Sequence, residues 1–237
     1  MQVALVGYGA MGHLIEGELL KQGHSVAGIV ALDKLASLNE IKEPFDCVID
    51  FSNPCCLDMV LSYGLKSKKP LVLATTGYSN EQKELIKEAG KMIPIVYAAN
   101  YSLGVTVLKR VVADVAKILK NDYDMEIIEK HHNKKIDAPS GTALTLLDAI
   151  DPNKEFKHVF GREGYSKREH EIGINAVRGG TIVGEHSVIF AGTDEVLEFK
   201  HEAFSKMIFV KGSIKAACFI VGKKPGVYDM EDILFGE

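Results

Sequence analysis

The sequence predicts an α/β protein: a Rossmann-type doubly wound parallel sheet, followed by an α+β domain with a mixed or antiparallel sheet. Three observations predict it. The first hundred residues alternate short, nearly continuous apolar runs with helical patterns, and strands of that kind are covered on both faces by the helices that connect them. From Gly173 onward three strands follow one another with no long helix between, which calls for antiparallel or mixed pairing. A glycine-rich turn, Gly7-Tyr8-Gly9-Ala10-Met11-Gly12, separates the first strand from the first helix.

Taken in order, Gln2–Val6 reads as a strand and Met11–Gln22 as a helix that Gly23 ends. Ser25–Val30 and Asp46–Phe51 are strands, the latter framed by Pro44 and Pro54. Cys55–Lys66 has a helical pattern, Leu71–Thr75 is a strand, and Asn80–Lys91 is a helix capped by Ser79 or Asn80. Ile93–Ala98 is the last strand of this series. Gly104–Lys120 forms a long amphipathic helix, Met125–Lys130 a strand running into His131 and His132, and Thr142–Ile150 a helix. Strands at Gly173–Val177, Val183–Phe190 and Val196–His201 precede a helix over Ser205–Val221 that is apolar around much of its surface. The partition is a dinucleotide-binding domain over 1–102, a second, sheet-rich domain over 103–204, and a C-terminal helical segment over 205–237.

Of the 237 residues, 46% are hydrophobic and 25% charged, the make-up of a globular domain rather than a disordered chain. The net charge of −4 gives no reason to expect nucleic acid or an acidic membrane as a partner, while leaving room for a local basic pocket. No apolar run approaches the roughly 18 residues of a membrane span. The amino terminus has no basic leader region, so a cytoplasmic location is expected. Cys47, Cys55, Cys56 and Cys218 show neither C-x-x-C spacing nor a histidine cluster, so we expect reduced thiols and no metal.

Gly7–Gly12 fits G-x-G-x-x-G in the context that gives the motif meaning, after a strand and opening a helix. Gly7 permits the tight turn, Gly9 lets backbone approach a pyrophosphate, Gly12 lets helix and strand pack closely, and Tyr8, Ala10 and Met11 complete the loop. Asp33, about twenty residues on, stands where an acid accepts hydrogen bonds from an adenosine ribose, and Lys34 supplies a cation for a 2′-phosphate. A solvated turn is the plain alternative for that pair. Ala74-Thr75-Thr76 and Ala98-Ala99-Asn100-Tyr101 end two further parallel strands, the side of an open sheet where ligands sit.

The run Glu129-Lys130-His131-His132-Asn133-Lys134-Lys135-Ile136-Asp137-Ala138-Pro139-Ser140-Gly141-Thr142 leaves a strand and enters a helix. Ser140 is placed to cap that helix, and Ser140, Gly141 and Thr142 then offer a carboxylate the unpaired N–H groups of the first turn. Lys135 and the histidines add charge and protons near neutrality. A basic surface loop before a well-capped helix is the alternative. The remaining histidines, at 13, 24, 158, 170, 186 and 201, are scattered and are read as structural or surface groups.

These segments, in this order, together with Val177-Arg178-Gly179-Gly180 and Gly184-Glu185-His186, resemble the 4-hydroxy-tetrahydrodipicolinate (dihydrodipicolinate) reductase family. The resemblance spans nearly the whole chain; the H-H-x-x-K-x-D-A-P-S-G-T run is specific to the family and the glycine loop is not. It implies a homotetrameric enzyme of diaminopimelate and lysine biosynthesis that reduces a small dicarboxylate substrate with NADH or NADPH, its C-terminal helix rejoining the dinucleotide domain. It places acid/base catalysis on His131 and proton donation on Lys135, and substrate contacts on His132, Gly141 and Thr142. Cofactor contacts fall on Gly7–Gly12, Asp33, Lys34, Ala74, Thr75, Thr76 and Ala98–Tyr101. Ala74 stands where the family often has glycine, and the chain is shorter than many members. Two other readings keep the glycine loop but not the His–Lys run: another two-domain dehydrogenase, and a non-catalytic NAD(H)-binding redox sensor.

Overall fold

The computed structural model describes residues 1–236. Its elements are β1 (Gln2–Val6), α1 (Ala10–Lys21), β2 (Ser25–Val30), β3 (Cys47–Asp50), α2 (Leu57–Ser67), β4 (Leu71–Leu73), α3 (Asn80–Gly90) and β5 (Pro94–Tyr97). There follow α4 (Leu103–Leu119), β6 (Asp124–His131), α5 (Gly141–Ile150), β7 (Lys157–Phe160), β8 (Glu171–Arg178), β9 (Gly184–Ala191), β10 (Val196–Ala203), α6 (Met207–Ile220), β11 (Gly226–Tyr228) and α7 (Met230–Phe235). The chain divides into two compact units, Met1–Leu103 with Met207–Glu237, and Gly104–Lys206.

The first unit is a six-stranded sheet in the order β11-β5-β4-β3-β1-β2, every pairing parallel. Its central strands are continuous apolar runs because both faces are covered. Val3, Leu5, Ile49, Val72 and Val96 pack on one side with Ile15 and Leu19 of α1 and Val210, Ile214 and Ala217 of α6. Ala4, Val6, Val48, Leu71, Leu73 and Ile95 pack on the other with Leu57, Val60 and Leu61 of α2 and Ile86 and Ala89 of α3. Ser79 caps α3 and completes a reciprocal capping box with Gln82.

Two features differ from the sequence expectation. Pro54–Cys56 is a single 3-10 turn, capped by the Asn53 side chain, and the α-helix begins only at Leu57, because Pro54 fixes the chain before a regular helix starts. β11 and α7 are absent from the sequence reading: three residues after a Lys-Lys-Pro run carry no periodicity, and β11 becomes a strand by pairing with β5 at the sheet edge.

The second unit is a five-stranded mixed sheet in the order β10-β9-β6-β8-β7. β6, β8 and β7 run parallel to one another, while β9 is antiparallel to both β6 and β10. Met125, Ile127, Ile172, Ile174, Val188 and Phe190 form one sheet face and pack against Ala143, Leu146, Leu147 and Ile150 of α5 and Val112 and Ala116 of α4. β7 is the strand missed here; it is short and edge-placed, with Lys157 and Phe160 exposed. Among the described residues no helix is long and apolar enough to cross a membrane.

Candidate active site

Residues two apart on a strand share a face, so Glu129 and His131 project from the end of β6 onto the side that carries Met125 and Ile127. Register adds the neighbours: Arg178 of β8 lies opposite His131, His186 of β9 opposite Glu129, and His201 of β10 opposite His186. A row of ionisable groups therefore ends the apolar face.

Glu129 is fully buried and saturated. Its Oε1 accepts from Arg178 Nη2 at 2.6 Å and from the Ser140 N–H at 2.9 Å. Its Oε2 accepts from Arg178 Nη1 at 2.7 Å and faces His131 Nδ1 at 2.6 Å. Burial pushes this carboxyl upward, but the bonds from Arg178, His131 and the Ser140 N–H outweigh it and hold the group below its ordinary range. An ionised carboxylate only accepts, so His131 donates from Nδ1, and Nε2 is left as the atom that takes or gives a proton. A side chain at position 184 would place its Cβ 3.1 Å from Nε2; Gly184 keeps that approach open.

Burial lowers His131, Glu129 raises it, and the charges of Lys135 and Arg178 lower it again, for a net depression. Lys135 sits in the turn after β6, its N–H bonded to the His132 carbonyl at 3.1 Å and its Nζ 2.9 Å from Asp137 Oδ1. Arg178 ties the same loop down through the Asp137 carbonyl at 2.6 Å. One buried carboxylate and one guanidinium thus hold strand, loop and helix start together.

Ser140 caps α5 as expected, its Oγ accepting from the Ala143 N–H at 3.2 Å. It is also buried, and its Oγ lies 2.9 Å from His186 Nε2. With its own N–H given to Glu129, Ser140 is engaged inside the protein, and the exposed start of the helix is Gly141, followed by half-buried Thr142. His132 is half-buried beside His131. His186 corrects the sequence reading, which left it among scattered histidines: its ring meets His131 edge-on, with centroids 5.1 Å apart. Burial, then the charges of His131 and others, pushes it down to about 4.

The first unit carries the other predicted residues. Gly7 has φ +89°, and a Cβ there would lie 2.5 Å from the Phe51 carbonyl oxygen; a Cβ on Gly12 would lie 2.5 Å from the Gly7 oxygen. Gly9, the N-cap of α1, has open space where a Cβ would be, and no side chain caps the helix. The donors that open α1, with no acid in the first turn, fit an anionic pyrophosphate. Tyr8 donates to the Glu16 carboxylate, and Lys34 Nζ lies 4.9 Å from the centre of the Tyr8 ring. Asp33 and Lys34 are exposed in the turn after β2, and Ala10 and Met11 open α1. Thr75 is buried and Thr76 exposed at the end of β4; Ala98, Ala99 and Asn100 follow β5. Tyr101 turns inward instead: its ring is in the core and its hydroxyl donates to the carbonyls of Leu73 and Val96 at 2.9 and 3.2 Å. Its carbonyl is packed against Gly212 of α6, where a Cβ would lie 1.7 Å from the oxygen, so Tyr101 is a core residue rather than an open cofactor contact.

Both halves of this arrangement have counterparts among known proteins. The model for the dihydrodipicolinate reductase N-terminus matches residues 1–101, and the model for the C-terminus matches residues 104–234. The chain belongs to the dihydrodipicolinate reductase family. It is 44% identical to the 4-hydroxy-tetrahydrodipicolinate reductase of Clostridium tetani, over 99% of this chain and 97% of that protein. It is also 44% identical to the enzyme of that name from Caldanaerobacter subterraneus, over 99% of both. Among solved structures, the dipicolinate-bound dihydrodipicolinate reductase from Paenisporosarcina sp. TG-14 superposes with a TM-score of 0.79 at 18% identity, over 99% of each chain, and shares the fold. The chain is accordingly a nicotinamide-dependent oxidoreductase of this family, and the resemblance read from its motifs holds over its full length.

Glu129 and the pairings of Arg178 and His186 are what the sequence reading missed. The signal was present: Met125, Ile127, Glu129 and His131 alternate on the core parity of a strand, and a carboxylate there has to be buried and paired.

Proposed function

We propose that this chain reduces 4-hydroxy-tetrahydrodipicolinate to tetrahydrodipicolinate with NADH or NADPH, in diaminopimelate and lysine biosynthesis, with His131 as acid/base and Lys135 as proton donor. The observation that carries the proposal is the Glu129–His131 pair, which commits one imidazole nitrogen to a buried carboxylate and leaves Nε2 to exchange a proton. Gly7, Gly9 and Gly12 would hold the pyrophosphate, with Asp33 and Lys34 toward the adenosine and Ala74–Thr76 and Ala98–Asn100 toward the nicotinamide. The dinucleotide, when bound, supplies a hydride.

The chain's own part is to bind charge and deliver a proton. A substrate carboxylate docks on the α5 start at Gly141 and Thr142, with His132 beside it and with Ser140 holding the helix end in place. Lys135 exchanges Asp137 for substrate. Once water has left, the conjugated imine would accept the cofactor's hydride, and the neighbouring carbon would take its proton from His131 Nε2 or from Lys135 Nζ. Glu129 stabilises the imidazolium whenever His131 carries two protons, and Arg178 keeps Glu129 ionised. The family resemblance supports a homotetramer and a cytoplasmic setting; light scattering on the purified protein measures the first.

The activity test couples the protein to dihydrodipicolinate synthase and follows loss of NADH or NADPH absorbance. Turnover with either cofactor is expected. Tight dinucleotide binding with no turnover would instead leave a sensor.

A further inference from the structure

Asp50 is a fully buried carboxylate in the first unit that the proposed chemistry does not use. It is the last residue of β3. Its Oδ1 accepts from the Ser52 N–H at 3.0 Å and the Ser52 hydroxyl at 2.5 Å. Its Oδ2 accepts from the hydroxyls of Thr75 and Tyr78, both at 3.1 Å. Four donors meet the four lone-pair directions of one carboxylate. Thr75 Oγ1 in turn accepts from the Ser52 N–H at 3.0 Å, so the segments after β3 and after β4 are bound to each other as well as to Asp50. Burial pushes the Asp50 carboxyl upward and the bonds from Ser52, Thr75 and Tyr78 oppose it.

The groups held are not remote from the glycine loop. The backbone of Phe51 and Ser52 is the surface against which Gly7 is packed, since a Cβ on Gly7 would lie 2.5 Å from the Phe51 oxygen and 2.8 Å from Ser52 Cα. Pinning Ser52 therefore fixes the floor of the glycine turn, and pinning Thr75 fixes the end of β4. Burying a carboxylate costs free energy even when it is hydrogen-bonded, so a residue serving stability alone would not need one at this strand end. The cost is explained if what it secures is the shape of a binding surface.

We infer that Asp50 is a positioning residue for the dinucleotide: it locks the glycine turn and the β3 and β4 ends into one preformed cradle without touching the cofactor. The inference rests on the reading that the dinucleotide binds at Gly7–Gly12. Loss of Asp50 leaves the fold and frees the two segments, so the penalty falls on dinucleotide affinity.

The test measures NADH Kd by fluorescence, thermal stability, and amide hydrogen exchange of the free full-length protein over 51–56 and 74–79. In Asp50→Asn the amide turns its two hydrogens toward the Thr75 and Tyr78 hydroxyls, which must reorient. We expect Kd to rise about tenfold or more, the equivalent of one or two lost hydrogen bonds, with faster exchange in both segments, while kcat at saturating NADH changes less than Kd. Gly9→Leu, a change into open space, serves as the control. If Gly9→Leu weakens binding and Asp50→Asn does not, Asp50 is structural only and the inference is overturned while the site reading stands. If neither weakens binding, the site reading itself fails. Should Asp50→Asn not fold, Tyr78→Phe, which removes one donor from behind the cradle, decides. A severalfold rise in Kd with faster exchange over 74–79 supports the inference, and an unchanged Kd overturns it.

Discussion

The glycine cradle and the Glu129 cluster handle charge in opposite ways. The cradle works by leaving side chains out. Gly7 and Gly12 each face a backbone oxygen 2.5 Å from where a Cβ would stand, and Gly9 opens on empty space, so unshielded backbone donors face outward. The cluster works by filling space with charge. Glu129 is buried to 0% exposure, yet each oxygen has two partners, and its role is to fix the state of the histidine beside it. Volume is therefore the sensitive quantity at the glycines themselves, and charge state and pH at the histidine beside Glu129. Substitutions can sharpen or break that contrast.

The largest effect is expected at His131. Replacing it with glutamine keeps a hydrogen-bonding group beside Glu129 but removes the titrating nitrogen. We expect kcat to fall about 10²–10⁴-fold, with KM for the dicarboxylate far less affected. Steady-state kinetics on the coupled assay check this, and an unchanged kcat would remove His131 from the mechanism. Lys135→Met should raise KM as well as lower kcat, since that residue is proposed both to bind and to donate. The pH profile of kcat/KM adds a second check. Glu129 raises the His131 pKa, so Glu129→Gln should move the His131 limb to lower pH. Movement to higher pH would contradict the assigned pairing.

The same contrast explains what was legible in the sequence. The parallel sheet was readable because β1, β3, β4 and β5 are continuous apolar runs, and the cradle because glycine spacing next to a strand end is a local pattern. His131, Lys135 and Ser140 lie in one segment and were readable for that reason. Arg178 and His186 reach Glu129 and Ser140 across 49 and 46 residues of sequence, through strand register alone. Periodicity says which residues share a face of one strand; it does not say which strand lies beside it. β11 was illegible on the same ground, since only its partner β5 makes it a strand.

A change of volume in the cradle should come next. Gly7→Ala requires a side chain at φ +89° and places its Cβ against the Phe51 carbonyl. Left-handed backbone costs roughly 1–2 kcal/mol for a residue with a Cβ, and the overpacking about 1–3 kcal/mol more. We expect a lowered Tm together with weaker NADH binding, measured by calorimetry and fluorescence titration. Equal affinity in the variant would mean that the turn does not hold the cofactor.

In the second unit pH is the relevant perturbation. The folded pKa of His186 is about 4, below the unfolded value near 6.5. In that interval the unfolded chain binds the extra proton, so stability rises with pH. The contribution is complete above the unfolded value and is lost progressively as pH falls from about 6.5 toward 4, by roughly 3 kcal/mol at about 1.4 kcal/mol per pKa unit. The depressed His131 acts in the same direction. Glu129, also depressed, acts lower, below its unfolded value near 4.3. Denaturation midpoints measured across this range should fall on acidification, and His186→Gln should flatten the upper part of the curve. An identical slope in that variant would place the titration elsewhere.

The smallest effect on kcat is expected at Ser140, and it separates a cap from a catalytic contact. Ser140→Ala removes the acceptor for the Ala143 N–H and the partner of His186 Nε2, while the Ser140 N–H bond to Glu129 is retained because it comes from the backbone. Loss of an N-cap costs about 1 kcal/mol, and leaving buried His186 Nε2 unpartnered about 1–3 kcal/mol more, so Tm should drop. The Glu129–His131 pair survives, so kcat should change much less than in His131→Gln. KM for the dicarboxylate should rise only as far as the helix start loosens. Ser140→Asp retains an acceptor for the helix but buries a second carboxylate beside Glu129, so it should lower Tm further rather than restore it. If Ser140→Ala instead lowers kcat as far as His131→Gln does, the hydroxyl takes part in proton transfer, and the division between a supporting serine and a reacting histidine would have to be redrawn.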